Sequence, residues 1–192
     1  MDAVDRAFEA VPRSDFLPRL ARSRAGHDGP ILIGHGQTNS QPRTVADMLR
    51  LLDVQPAQRV LDVGSGSGWT TALLAHLTGP EGAVVGVELE PQLARWGAAN
   101  VASSGMPWAR VREALPDVLG DPDDGPWDRI LVSAEADELP QSLVDQLADR
   151  GRLVIPVAGT MTLVVRTGAT VSTSRHGRYR FVPLRGPGHR AP

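Results

Sequence analysis

Hydrophobic and polar positions change rhythm twice along this chain, near residues 45 and 158. Up to residue 45 the pattern is irregular apart from one short helix. Phe8, Val11 and Phe16 fall where they can share a buried side, and Pro12 and Pro18 punctuate the segment. Residues 26–42 are rich in glycine and proline and read as an ordered loop or linker. Val45, Met48, Leu49, Leu51 and Leu52 then recur at helical spacing. From Arg59 onward, short apolar runs alternate with helical patterns. Residues 60–63, 83–88, 109–112, 129–133 and 152–157 predict strands; 70–77, 91–102 and 140–148 predict helices.

That alternation predicts an α/β fold, a Rossmann-like doubly wound, mostly parallel sheet with helices on both faces. After residue 158 the helical rhythm stops. Residues 162–166, Val171 and residues 180–184 look like strands joined by turns, so antiparallel C-terminal strands are expected at the sheet edge. Residues 186–192 read as frayed. A single domain over 1–192 is expected, with an N-terminal substrate or cap segment (1–45), a core (46–158) and C-terminal strands (159–185).

Composition narrows the function. At 192 residues and 41% hydrophobic, the chain is long enough to bury an ordinary core. Its net charge of −2 gives no global reason to bind nucleic acid or an anionic membrane. No apolar run is long enough to predict a membrane-crossing helix, and the acidic start lacks a signal-peptide core, so a cytoplasmic protein is expected. The lack of cysteine excludes disulfides, thiolate metal sites and a cysteine nucleophile. Every basic residue is arginine, which removes Schiff-base chemistry and a P-loop lysine. His27, His35, His76, His176 and His189 show no metal spacing, so no metal is expected. Trp69, Trp96 and Trp108 are expected to pack, not to stack bases.

The sharpest local signal is Asp62-Val63-Gly64-Ser65-Gly66-Ser67-Gly68, after a predicted strand and before a predicted helix. Glycines there let the backbone turn sharply and approach a ligand. Ligands of open parallel sheets bind beyond the carboxyl ends of the strands. The G-x-G-x-G spacing with a preceding aspartate suits a nucleoside carrying an amino-acid tail better than a dinucleotide pyrophosphate. Glu88, followed by Leu89, closes the second strand 22 residues after Gly66 and can accept hydrogen bonds from ribose hydroxyls. Glu113 or Ala114, after the third strand, is placed to read an adenine edge. Together these point to S-adenosylmethionine as cofactor, with S-adenosylhomocysteine as product.

The segment Gly34-His35-Gly36-Gln37-Thr38-Asn39-Ser40-Gln41-Pro42 resembles the signature of the protein-L-isoaspartate O-methyltransferases. The likeness runs through most of the chain: residues 7–13, 60–68, 127–130, 151–157 and the closing Phe181-Val182-Pro183-Leu184 are similar to that family. The resemblance implies a class I S-adenosylmethionine-dependent methyltransferase. Its activity would be to methylate the free α-carboxylate of L-isoaspartyl residues in flexible segments of damaged proteins, as a repair reaction. It implies Ser40 as the catalytic serine with Thr38 as its neighbour, and a substrate contact made by Gln37, Asn39 and Ser40. A carboxylate is ionised at neutral pH, so no general base is required. Ser40 also fits a cap for the helix that follows, and His35 fits a loop-ordering role.

Two departures stand out. Asn39 occupies a position where the family usually has an apolar residue, and Glu135 brings a carboxylate to the end of the fourth strand, to face the site, solvent or an arginine. They motivate a second reading, a carboxyl methyltransferase for an aspartate of a dedicated peptide or another small acid. A non-catalytic S-adenosylmethionine sensor is opposed by the presence of Ser40 and Thr38. An NAD-dependent oxidoreductase is opposed by the glycine spacing. A monomer is the expected state.

Overall fold

The computed structural model describes residues 1–115 and 117–186 of the chain. Its N-terminal segment is more regular than the sequence pattern suggests. Helix α1 (Ala3–Ala10) opens on a capping box, with the Asp2 carboxylate accepting from Asp5 N–H and the Asp5 carboxylate from Asp2 N–H. Two 3₁₀ turns follow, Arg13–Phe16 and Arg19–Arg24. The glycine- and proline-rich stretch read as a loop holds a small antiparallel hairpin, β1 (Ile31–Gly34) and β2 (Gln37–Asn39). Ile31 and Ile33 are buried and Leu32 is exposed. The connection takes Gly34, His35 and Gly36 through positive φ (99°, 52° and 71°), which accounts for glycines on both sides of the histidine. Helix α2 (Pro42–Leu52) begins at Pro42, ahead of its visible apolar rhythm, because proline is tolerated in a first turn.

The alternation then runs as expected through β3 (Arg59–Val63), α3 (Trp69–Thr78), β4 (Ala83–Glu88), α4 (Pro91–Ser103), β5 (Ala109–Glu113) and β6 (Trp127–Val132). Beyond β6 the expected boundaries need correction. The helix expected over 140–148 is only α5 (Gln141–Val144), and β7 (Leu147–Val157) starts before Arg152. Leu143, Val144 and Leu147 are spaced like a helix face. The Gln146 carbonyl, however, accepts the Trp127 N–H at 2.8 Å and draws the chain alongside β6. β8 (Thr160–Thr167) and β9 (Thr170–Arg178) are the expected antiparallel edge strands. Residues 180–184 are not a strand. Pro183 makes one isolated bridge to Glu135, and proline has no N–H with which to continue a ladder.

The sheet order is β5-β4-β3-β6-β7-β8-β9, parallel through β7 and antiparallel after it. The strand order reverses between β3 and β6, so the carboxyl ends of the central strands flank a crevice there. Successive residues feed two cores. Val60, Val84, Val111 and Leu131 pack with the apolar faces of α1, α2 and α3. Leu61, Val85, Ile130 and Leu153 pack with Leu143 and Val144 of α5 and with Leu119 and Leu184. Strands buried on both faces explain why β3 and β4 read as continuous apolar runs. Among the described residues, no helix is long and apolar enough to cross a membrane.

Candidate functional site

The loop between β3 and α3 sits at the reversal point, with Gly64, Gly66 and Gly68 at φ 77°, 53° and 86°. Gly64 N–H and Ser65 N–H both donate to the Val87 carbonyl, at 2.9 and 3.2 Å, which fixes the loop against the end of β4. Helix α4 supports it from beneath. A Cβ on Gly68 would lie 2.7 Å from Val101 Cγ2, and one on Gly97 would lie 2.7 Å from the Gly66 carbonyl oxygen. Asn100 Nδ2 donates to the Ser67 carbonyl at 2.9 Å. Gly97 and Asn100 were not anticipated from the sequence. A glycine inside a helical run was the available signal.

Glu88 is almost fully buried, and both of its oxygens are engaged. Oε2 accepts from Gly66 N–H at 2.8 Å and Oε1 from Glu90 N–H at 2.9 Å. Asp62 is completely buried, and its Oδ2 accepts from the hydroxyls of Thr70 and Thr71, both at 2.7 Å. Its Oδ1 and the nearby Ser65 Oγ are buried without a partner. Buried polar atoms are normally satisfied, so this pair marks a place for a polar ligand group.

Burial pushes the Asp62 carboxyl up to about 6; the threonine hydroxyls oppose that rise and Glu88 adds to it. The folded protein therefore holds a proton that the unfolded chain, near the ordinary value of 3.8, has already released. Stability through this group falls as pH rises from about 4 to about 6, by at most about 3 kcal/mol. Asp62→Asn is expected to flatten that part of the profile in cofactor-free protein. Urea unfolding of both proteins across this range checks it, and an unchanged slope in the variant would refute it.

Two cavities meet beside this loop. The inner one is lined by residues 63–67, Glu88, Leu89, Ala114, Leu119, Gly120 and residues 182–186. The outer groove runs between the start of α2 and residues 177–182. Thr38, Ser40, Ser133 and Val182 line both, so they form a shared wall. Gln37 and Asn39 line the inner cavity only. Glu113 is exposed and outside that lining, whereas Ala114 is within it, its N–H donating to the Glu88 carbonyl at 2.8 Å. The wall formed by residues 182–186 was not expected from the sequence, whose pattern suggests a strand over 180–184 and fraying from 186.

Ser40 does not cap α2. Gln41 takes that position, without a side-chain cap. Ser40 is held instead through its carbonyl, which accepts from Arg13 Nη2 at 2.8 Å. Arg13 is buried, and its guanidinium also reaches Asn39 Oδ1 (2.7 Å) and the carbonyls of Asn39 (3.0 Å), Gly29 (2.9 Å), His27 (2.8 Å) and Ala25 (3.5 Å). It lies 5.4 Å from the centroid of Trp69, whose other neighbour is Phe8 at 5.3 Å in an edge-on contact. Asn39 passes the connection on, its Nδ2 donating to Ser67 Oγ at 3.2 Å. The two ends of its amide are thus engaged within the protein. Glu135 is half-buried and pairs with no arginine among the described residues; Phe181 N–H donates to its Oε2 at 3.4 Å. His35 Nδ1 stands 3.5 Å from Glu90 Oε1, at the edge of the site. Among the described residues no cluster of three acidic or histidine side chains is disposed to hold a metal.

Comparison with known proteins places these features. Residues 1–188 match the model of the protein-L-isoaspartate(D-aspartate) O-methyltransferase family. The chain is 42% identical over 189 residues to the protein-L-isoaspartate O-methyltransferase of Methanopyrus kandleri, covering 95% of this chain and 83% of that one. It is 42% identical over 183 residues to the Methanocella arvoryzae enzyme of the same name, covering 93% and 96%. Among solved structures, a Plasmodium falciparum protein-L-isoaspartate O-methyltransferase in complex with S-adenosyl-L-homocysteine superposes with a TM-score of 0.81. It is 28% identical, with coverage of 96% of this chain and 90% of that chain.

Proposed function

The chain belongs to the protein-L-isoaspartate(D-aspartate) O-methyltransferase family, transferring a methyl group from S-adenosylmethionine to the α-carboxylate of L-isoaspartyl residues, and we propose how its residues share that work. S-adenosylmethionine supplies a methyl group already activated on a cationic sulfonium. Gly64, Ser65 and Gly66, with Glu88, Leu89 and Ala114, line the inner cavity that holds it, while Asp62 and Gly68 lie outside that lining and flank the loop. The unpartnered Asp62 Oδ1 and Ser65 Oγ suit the charged amino-acid end of that ligand. Glu88 is fixed by two amides and keeps lone pairs for ribose hydroxyls. Ala114 and Leu119 flank the base, and the exposed Glu113 has no part in this assignment.

The observation that carries the reading is the shared wall. Ser40 and Thr38 stand where an acceptor entering the outer groove meets the inner cavity. The acceptor carboxylate is ionised at neutral pH, so the protein need not remove a proton from it. Ser40 Oγ, with no hydrogen-bond partner among the described residues, donates to one carboxylate oxygen and leaves the other free to attack. Thr38 lines the same opening. The apolar Val182, Pro183 and Leu184 keep water from the reacting groups. Gln37 borders the opening, and Asn39 acts by holding Ser67 and Arg13, not by touching the acceptor.

Flexible peptide segments are the fitting partners, since a carboxylate within a folded strand does not reach the shared wall. Asn39 and Glu135, which motivated a dedicated acceptor, are both engaged inside the protein, and this favours general repair. The reading takes the protein as a monomer and a single domain whose first 45 residues supply the acceptor side.

Ser40→Ala is expected to lower methyl transfer to an L-isoaspartyl peptide roughly 10- to 100-fold, the worth of a hydrogen bond to a charged group. S-adenosylhomocysteine affinity should stay within about twofold. Initial rates with a matched pair of isoaspartyl and aspartyl peptides, alongside calorimetric titration, check both. Equal loss of rate and cofactor affinity would reassign Ser40 to the cofactor.

A further inference from the structure

The outer groove carries a charge pattern opposite in sign to the whole protein. The chain's net charge is −2, yet the groove is lined by Arg43 from the first turn of α2 and by Arg178 and Arg180 from the far wall. Among the described residues its one lining carboxylate is Asp47, which accepts from Tyr179 OH at 3.0 Å. Arg178 and Arg180 have no carboxylate within 4.0 Å among the described residues. Arg43 has a loose partner, Asp28, at 3.5 Å. Asp28 already accepts from Arg43 N–H and from Gln41 Nε2, both at 3.1 Å. Glu135, just behind the groove, is engaged by Phe181 N–H. Two walls of arginine therefore face a cleft whose nearby carboxylates are mostly committed.

We propose that Arg43, Arg178 and Arg180 determine substrate specificity, selecting isoaspartyl segments that carry acidic residues beside the damaged site. The inference rests on the reading of the groove as the acceptor's approach. A peptide laid along it places the side chains next to the isoaspartyl residue between the two arginine walls, within reach of guanidinium forks that match carboxylate geometry. The arginines are exposed, so each contact is modest and screened by salt, and the selectivity comes from their sum. The same field draws acidic segments toward the groove and repels basic ones.

The test uses three L-isoaspartyl peptides of one length, with two glutamates, two glutamines or two arginines flanking the isoaspartyl residue. At low salt the expected order of kcat/KM is glutamate, glutamine, arginine, with roughly a fivefold step between the first two carried by KM. High salt should compress the series. In the doubly substituted Arg178→Gln, Arg180→Gln protein, the glutamate-to-glutamine ratio should fall toward one. A glutamate peptide no better than the glutamine peptide in the unaltered enzyme would overturn the proposal, as would a ratio that survives the double substitution. Methylation of none of the three peptides would overturn the reading of the groove itself, and this proposal with it.

Discussion

Alanine at position 97 is expected to cost the enzyme its cofactor although Gly97 lies outside the glycine loop. The added Cβ would lie 2.7 Å from the Gly66 carbonyl oxygen and 3.4 Å from Gly68 N. Both are backbone atoms, so no side-chain rotation relieves the clash. Either α4 retreats or the loop moves outward. The helix is anchored by Leu93 and Val101, both buried, whereas the loop faces a cavity and moves more easily. Displacing the Gly66–Ser67 peptide strains the bond from Gly66 N–H to Glu88 Oε2 and the bond from Asn100 to the Ser67 carbonyl. Overpacking of this kind costs about 1–3 kcal/mol. Because the strain falls on the loop, affinity for S-adenosylhomocysteine should drop about tenfold or more, one such factor for each 1.4 kcal/mol. Calorimetric titration measures the affinity, and a thermal melt separates it from unfolding. Affinity within about twofold of the parent protein would show that α4 yields instead.

The contrast between Gly97 and the loop glycines shows what a sequence displays of such a site. Gly64, Gly66 and Gly68 lie close together after a strand, so local pattern exposes them. Gly97 matters because of a tertiary approach, and only its place inside a helix hints at it. The same distinction runs through the fold. β3 and β4 are legible because both faces are buried and their apolar runs are continuous. β9 is nearly invisible: its residues, Thr170 to Arg178, are exposed on both faces except for the half-buried His176, and Val171 alone carries an apolar signal. An edge strand dressed with Arg175 and Arg178 resists pairing with another chain, which also erases its alternation. Residues 181–184 err in the opposite direction. Phe181, Val182 and Leu184 are apolar because they roof the two cavities, and a roof has the composition of a strand without its ladder. The candidate site was therefore legible where its residues are contiguous, at 62–68 and 88 from their own chemistry and at 37–40 through the family resemblance. It was not legible where distant segments supply its walls, at Ser133 and residues 182–186.

Arg13 is the extreme case of a distant support, and its removal is expected to have the largest effect on turnover. Its guanidinium donates to six oxygens, none of them a carboxylate. Burial pulls its pKa down to about 10, with Asp28 opposing the shift, so it stays charged at neutral pH. A cation is favoured there because the carbonyls of His27, Gly29, Asn39 and Ser40 all point inward and need donors that their own segment cannot supply. Arg13→Met keeps much of the apolar stem beside Trp69 and removes every donor. Each buried oxygen left unpaired costs about 1–3 kcal/mol, and the loop must open to water to recover part of it. Opening frees Ser40 and Thr38 from the shared wall, so kcat/KM for an isoaspartyl peptide should fall about 100-fold or more. Cofactor affinity should fall less, because among the described residues a single hydrogen bond, from Asn39 to Ser67, and the packing of Ile33 on Gly66 link this loop to the glycine loop. Arg13→Lys should be intermediate. An ammonium offers three donors and cannot span acceptors spread from Ala25 to Ser40. Hydrogen exchange across residues 25–41 should rise in the order arginine, lysine, methionine, in step with the loss of turnover. A methionine variant with kcat/KM within about threefold of the parent would mean that the hairpin holds Ser40 without this cation.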